Sequence, residues 1–320
     1  MLGNLHNTVK TRWSEFRISI SEKWSTLNSG EIRKLSWAKR IESYEAVPDA
    51  YQFFLEPFRK QGQEFPYTVL TPTFEGLLQG RTTEKLVCDL IDEIYVLEKV
   101  GETVKVYGYP LAEISYVQSR TVLLDSQIKL YGLTQDCIPA CVIIKFNTAT
   151  ENLFAPIVEK IRRVAIGPED SELGFELAKL DSLEKVSYKF MNYARRSLLS
   201  GEEILQMILQ PKIQIRLLAA FGRGFYRYIS PAHLAILTDR ELILIHEEDN
   251  PRVIGDYGKV YDYIPLAKIV RLSLNGEDSK YIKLVVQLPE GFRIESTYQA
   301  SAREEINELF SRFASLTGHN

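Results

Sequence analysis

Apolar positions follow three successive rhythms along this 320-residue chain. Leu5, Val9, Trp13, Phe16, Ile20, Trp24 and Leu27 recur every three or four residues, which puts them on one face of an α-helix. Asn28-Ser29-Gly30 stops that helix. Ile32, Leu35, Trp37, Ile41 and Tyr44 continue as a second, less regular helix that ends at Val47-Pro48-Asp49. From residue 64 the pattern changes to short runs rich in β-branched and aromatic residues, and strands are predicted at 67–70, 86–91, 93–97, 103–107, 113–117, 121–124, 127–131 and 141–146. Helical spacing then returns in Leu153, Ile157, Val158 and Ile161, with Asn147 or Thr148 as the cap.

The second half repeats this order. Pro110-Leu-Ala-Glu-Ile114 returns as Pro265-Leu-Ala-Lys-Ile269, and Leu86-Val-Cys-Asp-Leu-Ile-Asp-Glu93 returns as Leu234-Ala-Ile-Leu-Thr-Asp-Arg-Glu241. Ile306, Leu309, Phe310 and Phe313 form the inner face of a closing helix, with Ser301 three residues before Glu304 as a capping box. Between the copies, Leu173, Leu177, Leu180, Leu183, Val186, Phe190 and Tyr193 predict one long amphipathic helix, bounded by Gly167-Pro168 and Gly201. The division that follows is an N-terminal helical segment over 1–60, a first β block over 64–165, a linker helix over 168–199 and a second β block over 200–318.

Ala232-His-Leu-Ala-Ile-Leu-Thr-Asp-Arg-Glu-Leu-Ile-Leu-Ile245, followed by Ile264-Pro-Leu-Ala-Lys-Ile269 and preceded by Gly201-Glu202-Glu203-Ile204, resembles the bacterial pleckstrin-homology-like (PH-like) and GRAM-like domains. The resemblance implies a mainly β fold with helices. It would hold two bent antiparallel β-barrels of about seven strands, each capped by a C-terminal α-helix, in tandem. It also implies a non-catalytic role in protein assembly or membrane association. Lipid-binding members hold inositol phosphates on a Lys and Arg group near the first two strands, and Lys212, Arg216, Arg223 and Arg227 are the comparable cluster here; the first copy offers Arg81 and Lys85.

Charge sharpens the picture at the N-terminus. The first 40 residues carry eight Lys or Arg against three Glu, a net +5, so the rest of the chain totals -8 within an overall -3. With no global positive field, nucleic acid is not an expected partner. Trp13, Phe16, Ile20 and Trp24, flanked by Lys10, Arg12, Arg17 and Lys23, are candidates for contact with an anionic lipid surface. Docking of the same stripe on the body of the protein, on a second copy or on another protein are the alternatives. Tyr226, Tyr228, Tyr257 and Tyr261 are candidate interface anchors.

Composition, at 45% apolar and 25% charged, excludes a disordered or fibrous chain. Three cysteines, Cys88, Cys137 and Cys141, argue against a disulfide framework. No secretory leader or run of 18 apolar residues occurs, so the expected location is the cytoplasm, with the inner face of the membrane as a peripheral option. His233 and His246 flank one predicted hairpin arm without a carboxylate motif beside them, and the acidic pairs Asp89 with Asp92, Glu202 with Glu203 and Glu247 with Glu248 read as solvent-facing. Phosphate-loop, dinucleotide, nucleophile-elbow and zincin motifs are absent. The sequence therefore predicts a non-enzymatic scaffold or adaptor with no metal or cofactor, binding a protein partner or itself. A homo-oligomeric assembly module without lipid binding and an enzyme, such as a hydrolase, with an unrecognised active site are the alternatives.

Overall fold

A computed structural model describes residues 37–73, 75–76, 80–166, 177–220, 223–248, 258–276 and 280–318. The first half contains β1 (Lys39–Ile41), α1 (Asp49–Lys60), β2 (Tyr67–Thr71), β3 (Glu75–Gly76), β4 (Gly80–Arg81), β5 (Lys85–Asp89), β6 (Glu93–Val100), β7 (Thr103–Pro110), β8 (Ile114–Val122), β9 (Asp125–Leu133), β10 (Pro139–Asn147) and α2 (Ala155–Ile166). The second half contains α3 (Leu177–Glu184), α4 (Tyr188–Ser197), β11 (Ile204–Gln210), β12 (Ile213–Ala220), β13 (Arg223–Ser230), β14 (His233–Thr238), β15 (Glu241–Glu247), β16 (Gly258–Pro265), β17 (Arg271–Asn275), β18 (Tyr281–Gln287), β19 (Arg293–Gln299) and α5 (Arg303–Thr317).

These strands do not roll into barrels. They form open antiparallel sheets in the orders β1-β2-β5-β6-β7, β10-β9-β8-β16-β15-β14-β11 and β17-β18-β19, with β12-β13 and β3-β4 as separate pairs. Strand β8 decides the matter. One of its edges pairs with β9, and the other pairs with β16 of the second half, from Val117 opposite Tyr263 to Val122 opposite Gly258. An edge bonded to the other half is not free to close a barrel on its own half. The chain is a mixed α/β protein of open sheets. The PH-like and GRAM-like resemblance is overturned, and with it the scaffold function that rested on a barrel.

Layering explains the apolar runs. β14 is buried along its whole length, because the seven-stranded sheet is covered on both faces in the second half. Ala235, Leu237, Leu242 and Leu244 meet Ile282, Leu284 and Val286 of β18 and Ile306, Leu309 and Phe313 of α5. On the opposite face, Leu234, Ile236, Ile243 and Ile245 meet Leu180, Leu183, Phe190, Met191 and Ala194 from α3 and α4. At the other end of the sheet, Val117, Ile128, Leu130, Val142 and Ile144 pack with Val69, Val87, Ile94, Val96 and Tyr109 and with Ile157 and Ile161 of α2. Helix α1 covers the far side of the five-stranded sheet through Tyr51 and Leu55.

Several local expectations change. Val47-Pro48-Asp49 starts a helix where the sequence predicted an end: Pro48 sits at the N-cap of α1, and Asp49 suits the positive end of the helix dipole. Residues 39–41, read as helix, are a strand paired with β2. Leu173 lies outside the described residues; over 177–199 the linker is two helices, because Ser187 caps α4 by accepting a bond from the Phe190 amide at 3.4 Å, and Val186 is left 71% exposed at the break. Ser301 and Glu304 form no capping box: α5 begins after a 3-10 turn at Ala300–Ala302, and its N-cap, Ala302, makes no side-chain cap bond. Strands read separately at 113–117 and 121–124 are the single strand β8, followed by a tight turn at Leu123 and Leu124.

The two Pro-Leu-Ala segments adopt one local structure. Pro110 (φ -56°, ψ 131°) leads into a 3-10 turn at Leu111–Glu113, and Pro265 (φ -58°, ψ 135°) leads into another at Leu266–Lys268. Each turn buries its leucine. Proline fixes φ near the value a helical turn needs, so the chain leaves the strand at a set angle. Among the described residues no helix is long and apolar enough to cross a membrane.

The turn after β7 also fixes Gly132 of β9. A Cβ at that position would lie 2.3 Å from the Glu113 carbonyl oxygen and 2.8 Å from the Ile114 Cα, both backbone atoms that cannot swing aside. Gly132→Ala is expected to destabilise the fold by about 1–3 kcal/mol, and Leu309→Ala, which empties a fully buried site under α5, by about 2–5 kcal/mol. Denaturant midpoints measure both, and an unchanged midpoint for Gly132→Ala would contradict the close approach.

Candidate functional site

Strand β16 sits at the junction of the halves, and its residues alternate between the two faces of the seven-stranded sheet. On one face the strand carries Asp262, whose carboxylate accepts a bond from Gln118 Nε2 at 2.7 Å and lies 3.3 Å from His246 Nε2. Arg120 of β8 holds Glu248 through Nε at 2.8 Å and Nη2 at 3.2 Å, and reaches Asp125 at 3.2 Å. This face is a polar clasp across the junction. Burial opposes a charge on His246, but Asp262 outweighs it and raises the imidazole above its ordinary value.

The opposite face lines a cleft of about 600 Å³. Lys259, Tyr261 and Tyr263 form one wall. The two tyrosine rings stack with centroids 5.9 Å apart, and Lys259 Nζ lies 5.3 Å from the Tyr261 ring. First-half residues Ile128, Phe146, Phe154 and Val158 supply an apolar base, with Phe146 stacked on Phe154 at 4.0 Å. Leu198 and Arg196, from the end of α4, complete the other side.

One end of the cleft is made by a buried ionic group. Arg162 of α2 stacks over the Tyr263 ring at 3.9 Å, donates through Nη2 to the Ser197 carbonyl at 2.7 Å, and pairs with Glu241. Glu202 lies 3.5 Å from the same nitrogen, accepts from the Leu199 amide at 2.6 Å, and accepts from the Thr238 hydroxyl at 3.1 Å. Both carboxylate side chains are fully buried. Two acids share one cation, so a single proton makes the set neutral. Burial first, and then the charge of Glu241, push the Glu202 carboxyl up to about 8. Burial also opposes the charge on Arg162, but Glu241, Tyr263 and Glu202 outweigh it and raise the guanidinium.

The remaining cations of the cleft are differently placed. Arg163 is paired with Glu159 one turn away on α2. Among the described residues Arg196 and Lys259 make no ion pair, and Glu151 acts on Lys259 only at longer range. Burial first, and then Arg196, hold Lys259 below its ordinary value. Tyr261 is 5% exposed, and its hydroxyl is buried without a hydrogen-bond partner. The cleft therefore combines an apolar base with the cations Arg196 and Lys259 and the carboxylates of Glu151 and Glu159, and Tyr261 brings a buried, unmet hydroxyl to its wall.

The described sequence-based candidates, Tyr261 apart, fall elsewhere. Lys10, Arg12, Trp13, Phe16, Arg17, Ile20, Lys23 and Trp24 lie outside the described residues, as does Tyr257. Lys212 is exposed, with its Nζ 5.2 Å from the Tyr228 ring. Arg227 is exposed on β13, opposite Ile215 of β12. Arg216 and Arg223 belong to the same strand pair, as does Tyr226, and their side chains lie outside the described set. Of the described candidates, Tyr261 alone lines the cleft, from inside a strand.

His233 and His246 do face each other across β14 and β15. His233 is buried and bonded to the Pro231 carbonyl at 2.9 Å, and burial lowers it to about 4. Cys137 and Cys141 are exposed, and Cys88 is buried with its thiol pushed up to about 12 by desolvation. Among the described residues no three His, Cys, Asp or Glu side chains gather as a metal site. The acidic-pair reading fails at Glu202, which is buried against Arg162, and at Glu247, which is 8% exposed and bonded to Lys189 at 2.6 Å.

A carboxyl raised by folding contributes stability that is complete below its unfolded value of 4.5 and is lost as pH rises towards 8. One such proton gives a slope of about 1.4 kcal/mol per pH unit in that window. Glu202→Gln keeps an acceptor for the Leu199 amide, and Thr238 retains the Glu241 carbonyl as its acceptor at 3.1 Å. This variant is expected to flatten the stability profile between about pH 5 and 8 and to raise the denaturation midpoint at pH 8. Arg162→Met leaves Glu241 buried without its cation and is expected to cost about 3–5 kcal/mol. Urea titrations across pH check both, and an undiminished slope in Glu202→Gln would assign the titration to another group. The chain matches no family model, and no curated protein matches it.

Proposed function

We propose that the protein is a non-catalytic binding protein whose cleft at the junction of the halves takes one small molecule with an apolar body. The observation that carries this reading is the cleft itself. It measures about 600 Å³, which is within the range of small-molecule sites, and its walls come from both halves. Ile128, Phe146, Phe154 and Val158 offer apolar contact, while Tyr261 and Tyr263 present aromatic surface next to cations. The walls rest on the seven-stranded sheet and on α2, so the cavity needs little rearrangement to accept a ligand.

The reading is one of binding without turnover, since Arg162 is saturated by Glu241, Glu202 and Ser197, and His233 and His246 are not among the cleft residues. Ala155, at the exposed start of α2, borders the cleft. Titration calorimetry of the full chain with twelve-carbon probes, dodecanoate and 1-dodecanol, is expected to show saturable one-to-one binding of at least one of them. Ala155→Trp, which narrows the mouth, is expected to weaken that binding by about tenfold or more. Absence of saturable binding by either probe, or indifference to Ala155→Trp, would remove the cleft as the site.

A further inference from the structure

We propose that Lys259 and Arg196, together with the Tyr261 hydroxyl, seat a singly charged anionic head group, and that the ligand's hydrocarbon body lies over Phe146 and Phe154. The inference rests on the reading of the cleft as a small-molecule site and names the chemical class that site selects.

The unmet polar groups carry the argument. A buried phenol hydroxyl without a partner is costly unless something outside the chain completes it. Tyr261 is such a group, and it lines the cleft. Two cations that make no ion pair among the described residues stand on the same cleft, one from β16 and one from the last turn of α4. The helix dipole accounts for a basic last turn in general, since Arg195 and Arg196 both stand there, but it does not account for Arg196 facing Lys259 across a cleft. Burial and Arg196 both oppose the charge on Lys259, Glu151 favours it more strongly than Arg196 opposes it, and an arriving anion adds to the favourable side.

Counting charge selects a monoanion. Arg162 is matched by its own carboxylates and Arg163 by Glu159, so neither is available as an anion seat. Glu151 offsets one of the two remaining cations and is held by the Thr121 hydroxyl at 3.3 Å. The excess is one positive charge, which fits a carboxylate or a phosphodiester. A free fatty-acid-like molecule and the head of an anionic lipid share that chemistry.

The test compares dodecanoate with 1-dodecanol on the full chain, which separates the head group from the body. Dodecanoate is expected to bind at least about tenfold more tightly. Lys259→Gln and Arg196→Gln are each expected to weaken dodecanoate by about tenfold and to leave 1-dodecanol unchanged, with a smaller loss for Tyr261→Phe. Arg196 is exposed, so its variant keeps the test available if Lys259→Gln disturbs the sheet. Sedimentation with phosphatidylglycerol vesicles separates a lipid source from a free one. Dependence on Lys259 and Arg196 in either format supports the head-group seat. Equal affinity for acid and alcohol, or variants that leave their ratio unchanged while independent of charge on vesicles, would overturn it. Binding of both probes that is lost in Ala155→Trp would leave the cleft itself standing.

Discussion

A β-strand has two edges, and the way β8 uses its own organises this molecule. One edge is bonded to β9 and the other crosses to β16, so strands from distant parts of the sequence share one seven-stranded sheet. Both remaining features of the junction follow from this ladder. Its register places Gln118 against Asp262 and brings Arg120 within reach of Glu248 on one face, and it sets Tyr261 and Tyr263 beside the end of α2 on the other.

The ionic group around Arg162 is a second, non-ladder tie between the halves. Its guanidinium arrives on α2, while the Ser197 carbonyl, Glu202 and Glu241 come from the end of α4, the turn after it and the start of β15. A buried ion pair is weak grounds for stability in itself, but the loss of one partner is severe. Here the group also has a positional effect. By occupying Arg162 completely it walls off one end of the cleft and leaves Arg196 and Lys259, with Glu151 on the same wall, beside the paired Arg163 and Glu159.

Much of the secondary structure was legible because it is local. The alternation in β9 and β10 and the stripe Ile306, Leu309 and Phe313 report directly which side faces a core. The repeat of Pro110-Leu-Ala at Pro265-Leu-Ala was legible too, and both copies form the same local turn. The sheet connectivity was not legible, since nothing in the composition of β8 distinguishes β16 from a strand of its own half as a partner. No spacing marked Arg162, and Glu202 was read as one of a surface pair, because the group that buries them is assembled from α2, the turn after α4 and the β14–β15 hairpin. Tyr261, read as an interface anchor, sits in a strand next to a cleft whose walls come from both halves. One signal was available at α1, where proline followed by aspartate suits the start of a helix at least as well as the end of one.

The shared ladder bears on modularity. If residues 64–165 were transplanted alone into another polypeptide, β8 would carry a bare row of amide and carbonyl groups where β16 now lies, and the second half would carry the matching row on β16. Such naked rows invite pairing with any extended chain nearby. Duplicated-looking though its two halves are, the chain is not a string of interchangeable beads, and its smallest self-sufficient unit contains both.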